Sequence, residues 1–254
     1  MNQTIFVVLP AYNEGACIAE LCSNIAKTLA NRAYSYRIII VDDGSADTTP
    51  AVAQSLSRDM PVTVFTHAHN MGLGATLRDG IVRTMELSAS NDMIVTMDAD
   101  NTHPPEIIPG MAAKIAEGND VVIASRFQKG ARVHGVPFLR RLFSDTVALI
   151  FRLLLPIPGI RDYTCGFRAY KATALQKAMD KWQERLFTEK GFQCMADLLL
   201  KMRGLDLRFA EVPFALRYDR KQGQTKMKVL KTIVMTLVLI WKHRLSLSSP
   251  AKAD

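Results

Sequence analysis

Short apolar runs alternate with stretches of helical length throughout the first half of the chain. The runs cover residues 4–9, 37–41, 62–66, 93–97 and 120–124. The amphipathic stretches between them cover about 14–30, 48–57, 73–87 and 105–117. The run Ile38-Ile39-Ile40-Val41 has no polar residue on either face, which indicates a strand buried on both sides. This alternation predicts an α/β fold, with a mostly parallel central sheet and helices on both of its faces.

The second half of the chain loses this regular alternation. A loop rich in Gly, Lys and Arg covers 127–136, and the apolar helix predicted at 137–155 ends at the segment Pro156-Ile157-Pro158-Gly159. The sequence beyond it predicts a loop at 160–170, helices at 172–179 and 191–203, a strand at 207–213 and a last helix at 227–244. Residues 218–226 have little to bury, and we expect them to be mobile.

Charge is divided unevenly between the two halves. Residues 1–125 hold 7 basic and 14 acidic side chains and residues 126–254 hold 25 and 10, within a net charge of +8. An acidic half suits a cation or a metal-bound ligand, and a basic half suits phosphate groups or an anionic membrane surface. Any single Lys or Arg is explained as well by solvation, so only the balance of each half is informative.

Several classes of protein are excluded by simple features. The four cysteines are scattered and form no CxxC pair, which fits a reduced cytosolic setting better than a disulfide scaffold. We expect no signal peptide and no membrane span, because the start lacks a basic region and the apolar segment 233–241 is far shorter than the about 20 residues that a span needs.

No GxxxxGK[ST] motif is present, and Gly72-Leu73-Gly74 lacks the third glycine of a dinucleotide-binding loop. Nucleic acid is not an expected partner, since no helix-turn-helix, zinc-finger or RNP pattern accompanies the basic residues.

Polar clusters follow three of the predicted strands, in the segments 9–14, 41–45 and 97–100. The carboxyl ends of parallel strands meet at one edge of a sheet, where ligands bind. Carboxylates gathered there repel each other unless a cation or a ligand compensates them, so Asp98 and Asp100 are candidate ligands of Mg²⁺ or Mn²⁺. The alternative role for an Asp is a helix cap or a turn, which we favour for Asp47. His103 has no His or Cys partner at metal-ligand spacing, and we expect it to pack in the core or a loop.

Taken together and in order, the motifs are more specific than any one of them. They are Val8-Leu9-Pro10-Ala11-Tyr12-Asn13-Glu14, Val41-Asp42-Asp43-Gly44-Ser45, Asn70-Met71-Gly72, Asp98-Ala99-Asp100, His103-Pro104-Pro105-Glu106 and Ser125-Arg126. This set resembles the family 2 glycosyltransferases of GT-A fold, and within them the dolichyl/polyprenyl-phosphate mannosyltransferase and glucosyltransferase branch. The resemblance covers about residues 4–226.

The resemblance implies a division of the chain. A Rossmann-like GT-A domain at 1–226 would comprise a nucleotide-sugar half, 1–125, and an acceptor half, 126–226. Residues 227–254 would form an amphipathic membrane-surface helix and a polar tail. The helix at 137–155 is also amphipathic beside its arginines, and both helices are expected at a membrane surface, with a core helix or, for the last one, a dimer contact as the alternatives.

The resemblance also implies roles for single residues on the donor side. Pro10, Tyr12, Glu14 and Asp42 match positions that hold the nucleotide base and ribose, and Asp98 and Asp100 match the metal-binding pair. Thr102 stands where this branch commonly has Gln, so a hydroxyl or a water would replace an amide ligand. Arg220 and Lys226 match a loop that folds over the diphosphate.

On the acceptor side, Arg126, Arg140 and Ser144 match positions around a lipid phosphate, and so does the segment Thr164-Cys165-Gly166-Phe167-Arg168, which ends in Arg168. A spacing of four places Arg140 and Ser144 on one helix face, which suits a phosphate clamp. For Arg141, a solvated position on the helix explains the residue as well as phosphate binding does. Asp197 matches an acidic position near the site and would be a catalytic base or an exposed helix carboxylate, while Asp100 and Arg126 are the other expected catalytic residues.

The leading functional prediction is a metal-dependent, inverting hexosyltransferase at the cytosolic membrane face. It would move mannose or glucose from GDP-mannose or UDP-glucose to polyprenyl phosphate, attached peripherally or through a small anchoring subunit. An acceptor phosphate is largely ionised at pH 7, because its second pKa is about 6, and needs no strong base. Two alternatives remain: the same donor with a hydroxyl acceptor, which would need a base, and a non-catalytic protein that binds nucleotide sugars.

Overall fold

The computed structural model describes residues 3–32, 34–220 and 229–248. The strands of this part are β1 (Thr4–Ala11), β2 (Ser35–Asp42), β3 (Val62–Thr66), β4 (Met93–Thr96), β5 (Val121–Ser125), β6 (Arg132–His134), β7 (Arg168–Lys171), β8 (Phe209–Pro213) and β9 (Ala215–Arg217). Its α-helices are α1 (Ile18–Ala30), α2 (Thr49–Asp59), α3 (Leu73–Leu87), α4 (Ile108–Ala116), α5 (Phe138–Leu154), α6 (Ala172–Trp182), α7 (Cys194–Arg203) and α8 (Val229–Ser248). Short 3₁₀ turns cover Pro105–Ile107, Gln183–Arg185 and Tyr218–Arg220.

A seven-stranded sheet with the order β3-β2-β1-β4-β7-β5-β8 forms the centre of the fold. The first four strands pair in parallel, as do β5 and β8. Ile38, Ile39, Ile40 and Val41 of β2 are fully buried, as their unbroken apolar run predicts. The predicted α/β class, with a mostly parallel sheet flanked by helices, is confirmed.

The strand β7 corrects the sequence prediction. Residues 160–170 are predicted to form a loop, yet β7 lies in the middle of the sheet, antiparallel to both β4 and β5. Its four residues, Arg-Ala-Tyr-Lys, carry no strand pattern of their own. They become a strand because Val95 and Val122 present backbone partners to Ala169 from either side.

Two further differences have local causes. The small sheet of β6 and β9 is also missing from the prediction, since each strand is three residues long. Helix α1 begins at Ile18 rather than at Glu14, because the carbonyl of Glu14 accepts hydrogen bonds from the amides of both Cys17 and Ile18 and so holds a turn ahead of the helix.

Helices α5 and α8 pack on each other and expose most of the large apolar side chains of the surface. Ten of the thirteen such side chains in the described ranges belong to these two helices, so the exposed apolar surface is concentrated in one region. They are Phe138, Leu142, Leu149, Leu153 and Leu154 of α5 and Val234, Leu237, Val238, Trp241 and Leu245 of α8. Among the described helices, none combines the length and apolar character of a bilayer-crossing segment.

Candidate active site

A cavity of about 730 Å³ lies where the strands β1, β2 and β4 end. Several residues predicted from separate motifs line it together: Pro10, Tyr12, Glu14, Asp98, Asp100, Arg126, Arg140 and Ser144. Parallel pairing causes this convergence on the donor side, because the register places Ala11 beside Asp42 and Val8 beside Thr96.

The loops that follow β1 and β2 are tied to each other by side chains. The amide of Asn13 donates to Ser45 Oγ at 2.8 Å, and Asn13 has a φ of 52°, a left-handed conformation that Asn tolerates. Asp47 accepts hydrogen bonds from the amides of Gly15 and Thr49. The turn role predicted for Asp47 is therefore confirmed, and the Tyr12 to Glu14 segment is held firmly at the cavity.

The two neighbouring carboxylates at the end of β2 have different surroundings. Asp43 lines the cavity, and its oxygens accept hydrogen bonds from the amides of Met71 at 2.8 Å and Gly72 at 2.9 Å. Asp42 is fully buried, with Oδ1 accepting from the amide of Ser45. Within the described ranges, Asp42 Oδ2 has no hydrogen-bond partner. An unpaired buried acceptor is costly, but Asp42 does not line the cavity, so the role towards the nucleotide that the resemblance gives Asp42 stays a prediction.

Asp98 and Asp100 lie on a tight turn after β4. The Asp98 side chain is 45% exposed, whereas Asp100 is buried. Thr102 donates to Asp100 Oδ1 twice, from its hydroxyl at 2.7 Å and from its amide at 3.2 Å. Asn101 completes the turn with a φ of 60°. The turn thus fixes one oxygen of Asp100 and turns Asp98 towards solvent.

His103 packs beneath this turn. Its ring stacks on Phe167 at 5.2 Å and meets the edge of Phe214 at 5.7 Å, which confirms the predicted packing role. Its Nδ1 accepts a hydrogen bond from the Asp98 amide at 3.1 Å, so the neutral ring carries its proton on Nε2. Its Nε2 lies 3.8 Å from Asp98 Oδ2, which is beyond hydrogen-bonding distance.

The residues of this turn fit a divalent cation. Asp98 and Asp100 offer the hard carboxylate oxygens that Mg²⁺ and Mn²⁺ prefer, and both line the cavity. Over the part of the chain that the structure describes, no group of three or more His, Cys, Asp or Glu side chains is arranged to hold a metal. The set therefore suits an ion that takes two protein carboxylates and completes its shell with water and phosphate oxygens, as Mg²⁺ commonly does.

Arg126 enters the cavity as half of a buried ion pair. Asp162, fully buried, accepts from Arg126 Nε at 2.8 Å and from Nη2 at 2.6 Å, and Nη2 also donates to Thr164 Oγ1 at 2.7 Å. Burial alone would raise the pKa of Asp162, but the charge and hydrogen bonds of Arg126 lower it below its usual value. These bonds use Nε and Nη2, which leaves Nη1 as the group available for a ligand.

Helix α5 supplies the other arginines of the cavity. Arg140 donates from Nη1 to the hydroxyl of Tyr218 at 2.7 Å, with its guanidinium carbon 4.9 Å from the ring centre. Ser144, one turn later, lines the cavity with Arg140, as the spacing of four predicts. Arg141 and Arg152 line it as well. Three arginines and one hydroxyl of a single helix thus face the cavity.

Five predicted residues are not brought to the cavity by the described structure. Asp42 is fully buried and is not among the lining residues. Arg168 is fully buried and donates to the carbonyls of Met195 and Tyr163, so it ties α7 to the loop before β7. Arg220 is exposed at the end of a described range, and Lys226 and the 226/227 domain boundary lie outside the described residues. The fifth is Asp197.

Asp197 is buried and paired. It accepts from Lys201 Nζ at 2.6 Å and contacts His243 Nε2 at 2.8 Å. Burial raises its pKa, but hydrogen bonds and charge from these two partners lower the pKa below its usual value. The alternative of an exposed helix carboxylate is wrong, because Lys201, one turn along α7, and His243, from the distant helix α8, both contact the buried carboxylate.

Several residues of the site were not predicted from the sequence, among them Asp162, Lys190 and Gln193. Asp162 lies 36 positions from Arg126, in a loop without a spacing pattern, so no local signal connects the pair. Lys190 and Gln193 line the cavity from the segment before α7. Only the neighbouring Thr164-Cys165-Gly166 motif pointed to this region.

The model of the family described as glycosyl transferase family 2 matches residues 6–179. The chain belongs to glycosyl transferase family 2. The matched span contains the Asp98 and Asp100 turn, Arg126 and Arg140, and it ends before α7 and α8. The family resemblance drawn from the motifs is confirmed.

Curated relatives of this family 2 member include two with closely related names. The chain is 36% identical over 225 residues to a dolichol-phosphate mannosyltransferase of Pyrococcus furiosus, covering 88% of this chain and 59% of that protein. It is 32% identical over 232 residues to a polyprenol monophosphomannose synthase of Mycolicibacterium smegmatis, covering 89% of this chain and 82% of that protein. The chain thus spans less than two thirds of the length of the first relative.

Solved structures confirm the GT-A-like fold of this glycosyltransferase. Glucosyl-3-phosphoglycerate synthase from Mycobacterium tuberculosis, in complex with Mn²⁺, UDP and phosphoglyceric acid, matches with a TM-score of 0.66 at 18% identity, covering 95% of this chain and 78% of that one. Mannosyl-3-phosphoglycerate synthase from Rubrobacter xylanophilus matches with a TM-score of 0.64 at 16% identity, covering 99% and 77%. At these identities the likeness concerns the fold.

Proposed function

We propose that this glycosyltransferase moves a hexose, mannose in the first place, from a nucleotide sugar to polyprenyl phosphate with inversion at the anomeric carbon. One observation above all supports this: a single cavity holds Asp98 and Asp100 together with Arg126, Arg140 and Ser144. The first group suits a metal-bound diphosphate and the second suits a phosphate acceptor. The names of the two mannosyltransferase relatives favour mannose and a polyprenyl acceptor.

The protein's own residues would act mainly by positioning. Pro10, Tyr12 and Glu14 would hold the nucleoside, while Arg126 and Arg140 orient the acceptor phosphate. An oxygen of that phosphate forms a bond to the anomeric carbon as the bond to the donor diphosphate breaks, and the electron pair leaves with the nucleoside diphosphate. When bound at Asp98 and Asp100, Mg²⁺ or Mn²⁺ would neutralise charge on the departing group.

A phosphate acceptor is favoured over a hydroxyl acceptor by the state of Asp197. A hydroxyl must lose its proton during attack and needs a nearby base. Asp197, the residue predicted for that task, does not line the cavity and is occupied by Lys201 and His243. An ionised phosphate makes no such demand, since its second pKa is about 6.

The exposed apolar faces of α5 and α8 suit a membrane-bound acceptor. Such faces bind in the interfacial layer of a bilayer, and basic side chains beside them attract anionic headgroups. Lys242 and Arg244 follow the exposed Trp241 on α8. We therefore propose that the enzyme lies peripherally at the cytosolic face of a membrane. Vesicles of lipid alone, or vesicles that contain an anchoring subunit, should then bind it.

A transfer assay tests the proposal. The full chain is incubated with radiolabelled GDP-mannose or UDP-glucose, MnCl₂ or MgCl₂, and polyprenyl phosphate in vesicles that contain anionic lipid. We expect label in the lipid fraction, more from GDP-mannose than from UDP-glucose, and loss of label with EDTA. Replacing both Arg140 and Ser144 by Ala should reduce transfer at least about tenfold, since a charge-assisted hydrogen bond contributes about 1.5–3 kcal/mol.

The matched control is Arg83→Ala, which removes an exposed arginine of α3 paired with Glu86 and should leave transfer unchanged. Label that appears on a sugar or small hydroxyl acceptor and not on the lipid would support the hydroxyl-acceptor alternative. Nucleotide binding without transfer to any acceptor would support a non-catalytic binding protein.

A further inference from the structure

Helix α8 presents two different faces. Its inner stripe, with side chains that are partly or fully buried, consists of Thr232, Thr236, Leu239, Ile240 and His243. Its outer stripe of exposed apolar side chains consists of Val234, Leu237, Val238, Trp241 and Leu245. Because Thr232 and Thr236 line the cavity, α8 is part of the cavity wall as well as of the apolar surface.

Two side chains near the end of α8 contact buried acids beside the cavity. Lys242 Nζ donates to Glu189 Oε1 at 3.1 Å, and His243 Nε2 lies 2.8 Å from Asp197 Oδ1. Glu189 is 9% exposed and Asp197 is 3% exposed, whereas the side chains of Lys242 and His243 are 61% and 18% exposed. Both acceptors are thus buried, and leaving a buried carboxylate oxygen without its donor is costly.

Glu189 begins a short wall segment, residues 189–193, that borders the cavity. Its second oxygen accepts a hydrogen bond from Gln193 Nε2 at 2.8 Å, which closes the segment on itself. Lys190, Gly191, Phe192 and Gln193 line the cavity. A bond from Lys242 to Glu189 therefore holds a part of the cavity wall in place.

The wall segment is packed directly against Gly72 and Gly74 at the start of α3. The amide of Gly74 donates to the carbonyl of Lys190 at 3.0 Å, and a Cβ on Gly74 would lie 1.9 Å from the carbonyl oxygen of Glu189. Gly72, with a φ of +91°, donates to Asp43. Gly72 and Gly74, which do not form a dinucleotide-binding loop, are thus the place where the wall segment contacts the donor side of the cavity.

Taking the donor's identity from the proposed function, we infer that Lys242 and His243 are positioning residues for the nucleotide sugar. Lys242 holds the wall segment 189–193 against Gly72 and the first turn of α3, on the side of the cavity formed by the ends of β1 and β2. His243 holds Asp197 of α7, whose amide donates to the carbonyl of Gln193 at the end of the wall segment. Removing these two bonds loosens the wall, so donor affinity falls while the residues that carry out the transfer stay in place. The end of α8 therefore contributes to the donor site without touching the donor.

The test compares Lys242→Ala/His243→Ala with Arg244→Ala. Arg244 is the next residue on the helix, but it donates to the carbonyl of Leu154 on α5 rather than to the wall segment. Donor affinity is measured by calorimetry with GDP-mannose and MnCl₂, and amide hydrogen exchange is followed at residues 188–193. In the double variant we expect about a tenfold weaker donor affinity, a raised KM for the donor with kcat within about twofold, and faster exchange in the wall segment. Arg244→Ala should change none of these.

Conservative variants separate positioning from simple loss of fold. His243→Gln retains a side-chain N–H that can donate to Asp197, and Lys242→Met retains the apolar stem without the charge. We expect His243→Gln to restore most of the donor affinity that His243→Ala loses, and Lys242→Met to weaken it while the melting temperature stays near that of the wild type.

Unchanged donor affinity and unchanged exchange in a folded double variant would overturn the inference. Equal effects in Arg244→Ala would also overturn it, because they would show a general loosening of α8. If the wild-type chain binds no nucleotide sugar, the proposed function is wrong, whereas the exchange comparison still decides whether Lys242 and His243 hold the wall segment.

Discussion

Asp162 and Arg126 form a side-on ion pair, in which both carboxylate oxygens accept hydrogen bonds from one edge of the guanidinium. Burial would lower the pKa of Arg126, but the charge of Asp162 and its hydrogen bonds raise it. The pair is therefore a fixed unit of near-zero net charge. Its contribution at the cavity is the orientation of a donor group. The other basic side chains of the lining are Arg140, Arg141 and Arg152 of α5 and Lys190, and together with Arg126 they are balanced in number by the carboxylates of the lining.

Asp162→Ala should be strongly destabilising. The substitution leaves the guanidinium of Arg126 buried without its counter-ion, and breaking a buried pair in this way costs about 3–5 kcal/mol. The double variant Asp162→Ala/Arg126→Ala should recover part of the loss, because no uncompensated charge remains. Urea unfolding of the wild type, of Asp162→Ala and Arg126→Ala, and of the double variant measures the coupling. A double variant less stable than Asp162→Ala alone would show that the pair is not a unit.

Asp100→Ala should abolish Mn²⁺-dependent binding of nucleotide, because it removes one of only two carboxylates on the turn after β4. Thr102→Val should weaken Mn²⁺ binding about 10-fold or more, since Thr102 orients Asp100 through its hydroxyl. Titration of free Mn²⁺ by electron paramagnetic resonance measures both effects. Asp59→Ala, at the exposed end of α2, is the control and should bind as the wild type does. Full Mn²⁺ affinity in Asp100→Ala would exclude the proposed site.

Glu211→Gln should stabilise the protein near neutral pH. Burial raises the pKa of Glu211, although the amides of Arg161 and Asp162 donate to it and lower the pKa in part. Because the pKa of Glu211 is higher in the folded state, this group stabilises the fold at pH values below its ordinary pKa of 4.5. This stabilisation is lost as the pH rises through the higher pKa of the folded state. The Gln oxygen can still accept both amides without the buried charge.

We therefore expect the melting temperature of Glu211→Gln to exceed that of the wild type by about 2–4 °C for each kcal/mol gained at pH 7.5. The advantage should shrink as the pH falls towards 4.5, where the wild-type carboxyl is protonated. Scanning calorimetry across this range measures the difference. A variant that melts lower than the wild type at every pH would indicate that the carboxylate charge is needed for folding.

Leu153→Gln/Trp241→Gln should weaken binding to anionic vesicles without altering the fold. Both side chains are exposed, at 70% and 67%, so their loss removes apolar surface that packs against nothing within the described chain. Burying a large apolar side chain is worth about 1.5–3 kcal/mol, so vesicle affinity should fall at least about tenfold. Co-sedimentation measures it. Leu87→Gln, exposed on α3, is the matched control, and an equal loss there would contradict a membrane surface on α5 and α8.

The cavity shows where sequence reasoning succeeds. The polar segments after β1 and β4 could be assigned to one edge of the sheet, because parallel strands with helical connections fix which strand ends meet. Arg140 and Ser144 could be paired for a similar reason, since the helical repeat alone places them on one face. The Asp162 partner of Arg126 could not be found in this way. No periodicity links two loops 36 residues apart, and the pair exists only because the ends of β5 and the loop before β7 are brought together.

What the sequence determined by itself is everything that depends on local repeat: the α/β class, the bounds of most helices within a few residues, and the motifs that place the chain in its family. The tertiary structure decided the strand identity of β7, the burial of Arg168 and Asp197, and the contact of α8 with the wall segment. The physical reason is that local patterns report only whether a residue faces the core or the solvent. Which charge neutralises a buried carboxylate depends on distant parts of the chain, and only packing brings those parts within hydrogen-bonding distance.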